Sequence, residues 1–329
     1  VLTINGQAYT LINRIGTGHT DTTLGSLQGM QGELSGHYAL AGTIDAAATR
    51  AWGNGAGFSP TGGTDTFRGG FNGLGNIINN FYVNRPSQSD VGLFSVIRPS
   101  SGTTRTISNV GFVNAEVTGL QRVGVLAGRT RASIGSRDLF IHNVFSTGSV
   151  TGQRNVGGLT GRLGVSQASD IYSRADVNGS VLDVNFSGGE IYSVGGLAGG
   201  WDNGNLNSVF ATGDVTVTDV HPVSGQEYVE AVGGLFGYTL DAYELRNAYA
   251  TGNVITPNAL FSQSVGGLMG QLDETSIWES FATGDVIGGQ AVGGLVGLAY
   301  PSSAIAFTNS YAQGNVSGVE AVGGFIGRY

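Results

Sequence analysis

The chain repeats one hexapeptide, Val292-Gly293-Gly294-Leu295-Val296-Gly297, down most of its length. Near-copies begin at Val91, Val123, Val156, Val194, Val232, Val265, Val292 and Val322. The intervals between successive starts are 32, 33, 38, 38, 33, 27 and 30 residues. A period in this range is typical of proteins whose repeats stack on one another, so that each repeat contacts only its neighbours.

A second segment recurs between the hexapeptides. It is clearest as Ile277-Trp278-Glu279-Ser280-Phe281-Ala282-Thr283-Gly284-Asp285-Val286, and its counterparts begin at Ile107, Ile141, Ile171, Leu206, Leu245 and Phe307. The apolar runs are short, rich in β-branched and aromatic residues, and separated by turn residues, which indicates strands and turns. One repeat therefore consists of a strand, a turn, a strand, a glycine corner and a strand.

This pattern predicts an all-β protein, a parallel β-helix (β-solenoid) with one repeat per turn. Helical repeats are excluded because glycine costs about 1 kcal/mol inside a helix and interrupts every segment. A propeller blade needs about 40 residues, and the shortest interval here is 27. The coil is expected to be right-handed, as parallel crossovers usually are.

The repeat pattern divides the chain in two. Residues 1–66 contain no hexapeptide and are predicted to form an N-terminal β-rich capping and lead-in segment, in which a short helix between Asp21 and Leu40 is an option. An atypical terminal unit is expected because the end of a stack must hide apolar side chains. Residues 67–329 are predicted to form the β-helix repeats, which end in an incomplete repeat.

Composition excludes several classes of function. The chain has 23 acidic residues, 15 arginines and no lysine, for a net charge of −8. This balance argues against binding to nucleic acid or to an anionic membrane. The absence of cysteine excludes disulfides and thiolate metal sites. No apolar run reaches about 18 residues, so membrane insertion is not expected, and the chain reads as a soluble mature chain or an excised fragment.

Stacking predicts two columns of identical residue types on successive turns, both with a structural role. The first is an amide ladder. Its members are Asn109, Asn143, Asn247 and Asn309, interrupted by Ser173, Ser208 and Glu279. The second is a stack of aromatic rings. Its members are Phe145, Phe210, Tyr249, Phe281 and Tyr311, with gaps at Gly111 and Ala175.

The repeats resemble a known family. Tyr249-Ala250-Thr251-Gly252-Asn253-Val254 and Phe281-Ala282-Thr283-Gly284-Asp285-Val286, each combined with the hexapeptide, resemble the GLUG repeat over about two thirds of the chain. The preceding segment, Tyr9 to Ile97, resembles the lead-in of filamentous haemagglutinin-like exoproteins of bacterial two-partner secretion. The resemblance implies a secreted β-helix that works in adhesion or in an extracellular matrix.

The sequence offers no catalytic constellation. His19, His37, His142 and His221 are scattered, and no P-loop, HExxH or GxSxG string occurs. Asp214, Asp285 and Glu279 occupy repeat positions that vary among Ser, Asp, Asn and Glu, which is typical of solvent-facing sites. We therefore predict that the protein is not an enzyme and has no cofactor, metal site or catalytic residue.

The two longest repeats carry extra residues at one corner, roughly 179–190 and 216–230. Insertions at one corner of consecutive turns project side by side, often on the binding face. They define a predicted acidic ridge that would contact a receptor, a glycan or a divalent cation. Its candidate residues are Asp183, Glu190, Asp219, His221, Glu227, Tyr228 and Glu230.

The sequence predicts a secreted, adhesin-like structural protein whose rigid β-helical surface serves attachment or biofilm contact. The expected location is the cell surface or the extracellular matrix, and the expected partner is a receptor or glycan of a host or neighbouring cell. One alternative is the subunit of an extracellular filament, which would bind itself head-to-tail through the open end at Val322 to Tyr329. A third reading is a polysaccharide-active β-helix enzyme.

Overall fold

The computed structural model describes residues 2–132, 138–181, 192–220, 230–240, 242–256, 263–300 and 305–329. The protein is nearly all β, with 58% strand and 5% helix. Its long sheets consist of parallel strands that pair from one turn to the next, so the predicted parallel β-helix is confirmed.

One ladder of backbone pairing runs along the whole stack. Each of its residues pairs in parallel with the next, in the order Thr10, Tyr38, Phe71, Ile107, Ile141, Ala168, Leu206, Leu245, Ile277 and Phe307. We call the turn of the coil that contains each of these residues a level. The ladder is continuous, so each repeat forms one level of the helix.

The first residues of the hexapeptides, with the residues just before them, form a sheet of their own. The starting valines from Val91 to Val322 pair each with the next copy, as their recurrence predicted. The strands of this sheet are Gln121–Val123, Arg154–Gly157, Tyr192–Gly195, Glu230–Gly233, Gln263–Gly266, Ala291–Gly293 and Val322–Gly323.

The second sheet contains the remaining strands. After the glycine corner come Phe94–Ile97, Ala127–Thr130, Thr160–Val181, Ala198–Ala211, Phe236–Thr239, Met269–Asp273, Val296–Tyr300 and Ile326–Arg328. The next face contains Gly70–Asn72, Ile77–Asn79, Arg105–Thr118, Leu139–Gly152, Ala242–Ala250, Ser276–Trp278, Phe281–Ala282, Phe307–Thr308 and Tyr311–Ala312. The turn closes with Tyr82–Asn84, Val215–Val220, Val254–Ile255, Val286–Ile287 and Val316–Ser317.

The core fills the interior of the coil. The first and fourth positions of the hexapeptide point inward from the copy at Val91 to the copy at Val292, whereas Val322 in the last copy is 47% exposed. Their valines and leucines are at most 4% exposed, at Val123, Val156, Val194, Val232, Val265, Val292, Leu126, Leu159, Leu197, Leu235, Leu268 and Leu295. Burying one such side chain stabilises the fold by about 1.5–3 kcal/mol, so these two columns are a main source of stability.

The N-terminal region begins with an antiparallel hairpin. Strands Leu2–Ile4 and Gln7–Ile12 are joined by Asn5-Gly6, both with positive φ, as a two-residue hairpin turn requires. Two 3-10 helices follow, Gln28–Gly32 and Ala47–Gly55, separated by strands His37–Leu40 and Ile44–Asp45. Parallel pairing passes from residues 37–39 to residues 70–72 and so joins the two predicted segments. The division of the chain at residue 66 stays a prediction.

Asp21 organises the loop in front of the first 3-10 helix. The backbone N–H groups of Thr23 and Thr17 donate to its carboxylate at 2.8 and 3.0 Å, and the hydroxyl of Ser26 donates at 3.3 Å. The hydrogen bonds from Thr23, followed by those from Thr17 and Ser26, lower the pKa of Asp21 to about 2. The carboxylate therefore stabilises the loop only while it is ionised.

Asp21→Asn is expected to remove this pH-dependent stabilisation. A lowered folded-state pKa contributes stability that is present above the ordinary value of 3.8 and is lost as the pH falls toward about 2. The variant should be less stable than the parent by about 2 kcal/mol at pH 7 and equal to it near pH 2. Urea unfolding at several pH values measures the difference. An unchanged gap between pH 7 and pH 2 would contradict the assignment.

Candidate functional site

One column of residues turns the chain at a concave corner of the seven levels from Ile107 to Phe307. Its members all have left-handed backbone conformation, with φ between 49° and 56°, at Asn109, Asn143, Asp170, Ser208, Asn247, Glu279 and Asn309. Asn and Asp tolerate this conformation better than other non-glycine residues. The predicted amide bond exists where two asparagines lie on consecutive levels, since Asn143 Nδ2 donates to Asn109 Oδ1 at 3.0 Å. What the whole column shares is the backbone bend.

The predicted register was wrong on one level. Ala168, not Ile171, pairs with Ile141. The corner therefore contains Asp170 where Ser173 was expected, and the aromatic column contains Tyr172 where Ala175 was expected. The sequence pattern favoured Ile171 because a bulky apolar residue begins the other copies, whereas this interior position accepts a small alanine.

The aromatic column is continuous over six levels. It consists of Phe145, Tyr172, Phe210, Tyr249, Phe281 and Tyr311, with ring centroids 4.4–5.0 Å apart and ring planes within 7° of parallel. The spacing matches the rise between parallel strands, about 4.8 Å. Each inner ring is covered on both faces by its neighbours, so only the ring edges face solvent.

A further column joins successive levels through short polar side chains. One oxygen of Asp214 accepts the backbone N–H of Asn253 at 2.7 Å, and one oxygen of Asp285 accepts that of Asn315 at 2.8 Å. Asp176 and Asn253 accept the intervening amides in the same way. Asp214 and Asp285 are exposed, as expected. Their position favours a short side chain whose oxygen accepts the backbone N–H of the next level, so the residue type there is restricted.

A groove of about 820 Å³ runs along the corner and aromatic columns. One wall carries the polar side chains of the corner, and the ring edges form an apolar strip beside it. The lining residues are Leu74, Gly75, Asn109, Val110, Gly111, Asn143, Phe145, Asp170, Tyr172, Ser208, Phe210, Asn247 and Tyr249. Asp170 is the one charged residue among them, so the groove suits a neutral ligand.

The predicted ridge falls largely outside the described residues. Asp183, Glu190, His221, Glu227 and Tyr228 lie there, and only the strand positions of Asp219 and Glu230 are described. Within the described ranges, no group of three or more His, Asp or Glu residues is placed to hold a metal ion. No helix in the same part of the chain is long and apolar enough to cross a membrane.

Comparison with known proteins supports the fold and a surface location. No family model matches the chain. Halomucin from Haloquadratum walsbyi is 31% identical over an alignment of 330 residues. The alignment covers 71% of this chain, and the chain spans about 3% of the length of Halomucin.

A solved structure shares the architecture. The crystal structure of a candidate immunoglobulin A1 protease from Bacteroides ovatus superposes with a TM-score of 0.52 and 19% identity. The similarity covers 91% of this chain and 81% of the other, and at this identity it shows the fold alone. Together with the similarity to Halomucin, the fold indicates an extracellular β-helical protein.

Proposed function

We propose that this chain is a rigid, adhesin-like β-helical segment of an extracellular surface protein, and that its groove is an attachment surface for a glycan. The GLUG-type repeat resemblance and the similarity to part of Halomucin support this reading. The observation that carries it is the uninterrupted stack, in which the aromatic and corner columns repeat at one spacing along the axis. Such a surface keeps its geometry over many levels.

The groove is suited to a linear, neutral polysaccharide. Its corner wall presents hydrogen-bonding groups of Asn143, Ser208 and Asn247 on separate levels. A side-chain amide both donates and accepts, as sugar hydroxyls require. The level spacing of about 4.8 Å is close to the length of one sugar unit in an extended chain. The ring edges add an apolar strip against which sugar C–H groups can pack.

Replacing Asn143 and Asn247 by glycine is expected to weaken glycan binding about tenfold. Two lost hydrogen bonds of about 0.5–1.5 kcal/mol each give a change of this size. Glycine retains the left-handed backbone, so the fold should persist. Isothermal titration calorimetry with cellohexaose and mannohexaose measures the affinity.

The matched control for this experiment is Asn309→Gly. Asn309 belongs to the same corner column but does not line the groove. Asn309→Gly should therefore leave the affinity for the glycan unchanged. Equal loss in the control, or no binding of either hexasaccharide by the parent protein, would contradict the proposal.

The predicted acidic ridge stays a second candidate for attachment. Replacing Asp219, His221 and Glu227 together by alanine, in the parent and in the groove variant, separates the two surfaces. If only the ridge variant loses cell adhesion, the attachment surface is the ridge and not the groove.

A further inference from the structure

Two arginines on consecutive levels share a single carboxylate on the strands that follow the glycine corner. Arg129 pairs in register with Arg162, and the outward position of the next level is Gly200. A bulge after Trp201 brings Asp202 outward beside them. Asp202 Oδ1 accepts from Arg162 Nη2 at 2.7 Å and from Arg162 Nε at 3.1 Å, whereas Asp202 Oδ2 is 3.7 Å from Arg129 Nη2.

Tyr238 closes the cluster from the level above. Its ring lies over Gly200, where a Cβ atom would collide with it. The Tyr238 hydroxyl donates to Asp202 Oδ1 at 3.3 Å. Burial, and then the charge of Asp202, raise the pKa of Tyr238, so this hydroxyl stays neutral. Asp202 Oδ1 is therefore fully engaged by Arg162 and Tyr238.

Arg129 is left without a hydrogen-bond acceptor within the described residues. Its Nε is shielded from solvent and unpaired, and its side chain is 22% exposed, so the outer end of the guanidinium is accessible. A buried donor with no acceptor is costly, by about 1–3 kcal/mol. Burial, and then the charge of Arg162, lower the pKa of Arg129.

The surroundings of Arg129 are cationic. Arg122 and Arg131 also act on its charge, in addition to Arg162. Arg122 is matched by Asp90, whose two oxygens lie 2.6 and 3.0 Å from its nitrogens. Four guanidiniums therefore lie close together on a chain whose net charge is −8. Such a concentration of positive charge attracts anions that the rest of the surface repels.

We propose that this arginine cluster, formed by Arg122, Arg129, Arg131 and Arg162, binds an oxyanion group of an acidic polysaccharide. Sulfate esters and uronate carboxylates both present the acceptor oxygens that the planar guanidinium of Arg129 needs. None of the four arginines lines the groove, although Arg162 lies near the start of the long strand Thr160–Val181, which also carries the groove residues Asp170 and Tyr172. The cluster would add recognition of acidic glycans to a groove suited to neutral ones.

Two substitutions with opposite effects test the site. Arg129→Gln should weaken binding of inorganic sulfate and of dextran sulfate at least tenfold, because it removes the guanidinium whose N–H groups would donate to the sulfate oxygens. Asp202→Asn should strengthen binding several-fold, because it removes the competing carboxylate. Titration calorimetry at constant ionic strength measures both, with uncharged dextran as the negative ligand.

Two further variants serve as controls. Arg246→Gln removes an exposed arginine that is paired with Glu244, and it should leave the affinity for sulfate and dextran sulfate unchanged. If Arg129→Gln does not fold, Arg129→Lys keeps the positive charge but lacks the planar guanidinium, and it should still lower the affinity for sulfate. Unchanged binding in Arg129→Gln or Arg129→Lys, or weaker binding in Asp202→Asn, would overturn the site. Binding of free sulfate without dextran sulfate would overturn the polysaccharide as its ligand. Binding of cellohexaose reports separately on the groove.

Discussion

Gly234→Ala is expected to destabilise the protein by about 3 kcal/mol or more, because both neighbours of the new methyl group are fixed. A Cβ at this position would overlap the carbonyl oxygen of Gly267 on the next level and lie 2.9 Å from the Cβ of Ala250. The Gly267 backbone cannot move away, since it is hydrogen-bonded to the level above it. Urea unfolding followed by circular dichroism measures the loss.

Gly42→Ala is the matched control for Gly234→Ala. Nothing lies within 4 Å of a Cβ built on Gly42, and its φ is not in the left-handed region. The same Gly-to-Ala change should there be neutral or stabilising by up to about 1 kcal/mol. Equal stability of the two variants would mean that close packing of successive corners is not what selects glycine.

The same contact explains the second of the three glycines in the hexapeptide. A Cβ on the second glycine of one copy would overlap the carbonyl oxygen of the equivalent glycine in the next. This holds for Gly158, Gly196, Gly234, Gly267 and Gly294 in turn. The recurrence of the motif predicted the stack. The reason for the recurrence is the short distance between successive levels, which is visible only once the levels are stacked.

The architecture was predictable because interior columns repeat at regular intervals. Val156 and Val194, for example, are both buried and directly paired, and their spacing along the chain is visible in the sequence. The register failed where an interior residue was small, at Ala168, since a hydrophobic pattern gives alanine little weight. Levels with a bulky residue at that position, such as Ile141, were placed correctly.

The candidate sites were less predictable than the fold. The groove depends on the corner conformation of residues such as Asn143 and Ser208, and nothing in the sequence says that serine shares the bend with asparagine. The arginine cluster depends on a bulge that turns Asp202 outward and on Gly200 making room for Tyr238. Arg129 and Asp202 are far apart in the sequence, so only the coil brings them together.

Trp201→Ala is expected to destabilise the protein by about 3–5 kcal/mol, the usual loss for removing a fully buried large aromatic side chain. Trp201 is completely buried, its Nε1 donates to the carbonyl oxygen of Asn203 at 2.9 Å, and its ring packs 5.4 Å from that of Phe236. The levels above and below are held at a fixed spacing by backbone pairing, so the cavity cannot collapse. Thermal unfolding measures the effect.

Trp278→Ala tests whether burial inside the coil is the cause. Trp278 is half-buried on the outside of the coil, where the guanidinium of Arg246 packs 4.7 Å from the centre of its ring. Its loss should cost about 1–2 kcal/mol, less than the loss of Trp201, because only part of the ring is buried and the cation–π contact adds about 1 kcal/mol. Since each level of a stack interacts mainly with its neighbours, hydrogen exchange in Trp201→Ala should rise around the strands at residues 160–163 and 236–239 first. Uniform loss of protection along the whole chain would instead show that the stack unfolds as one cooperative unit.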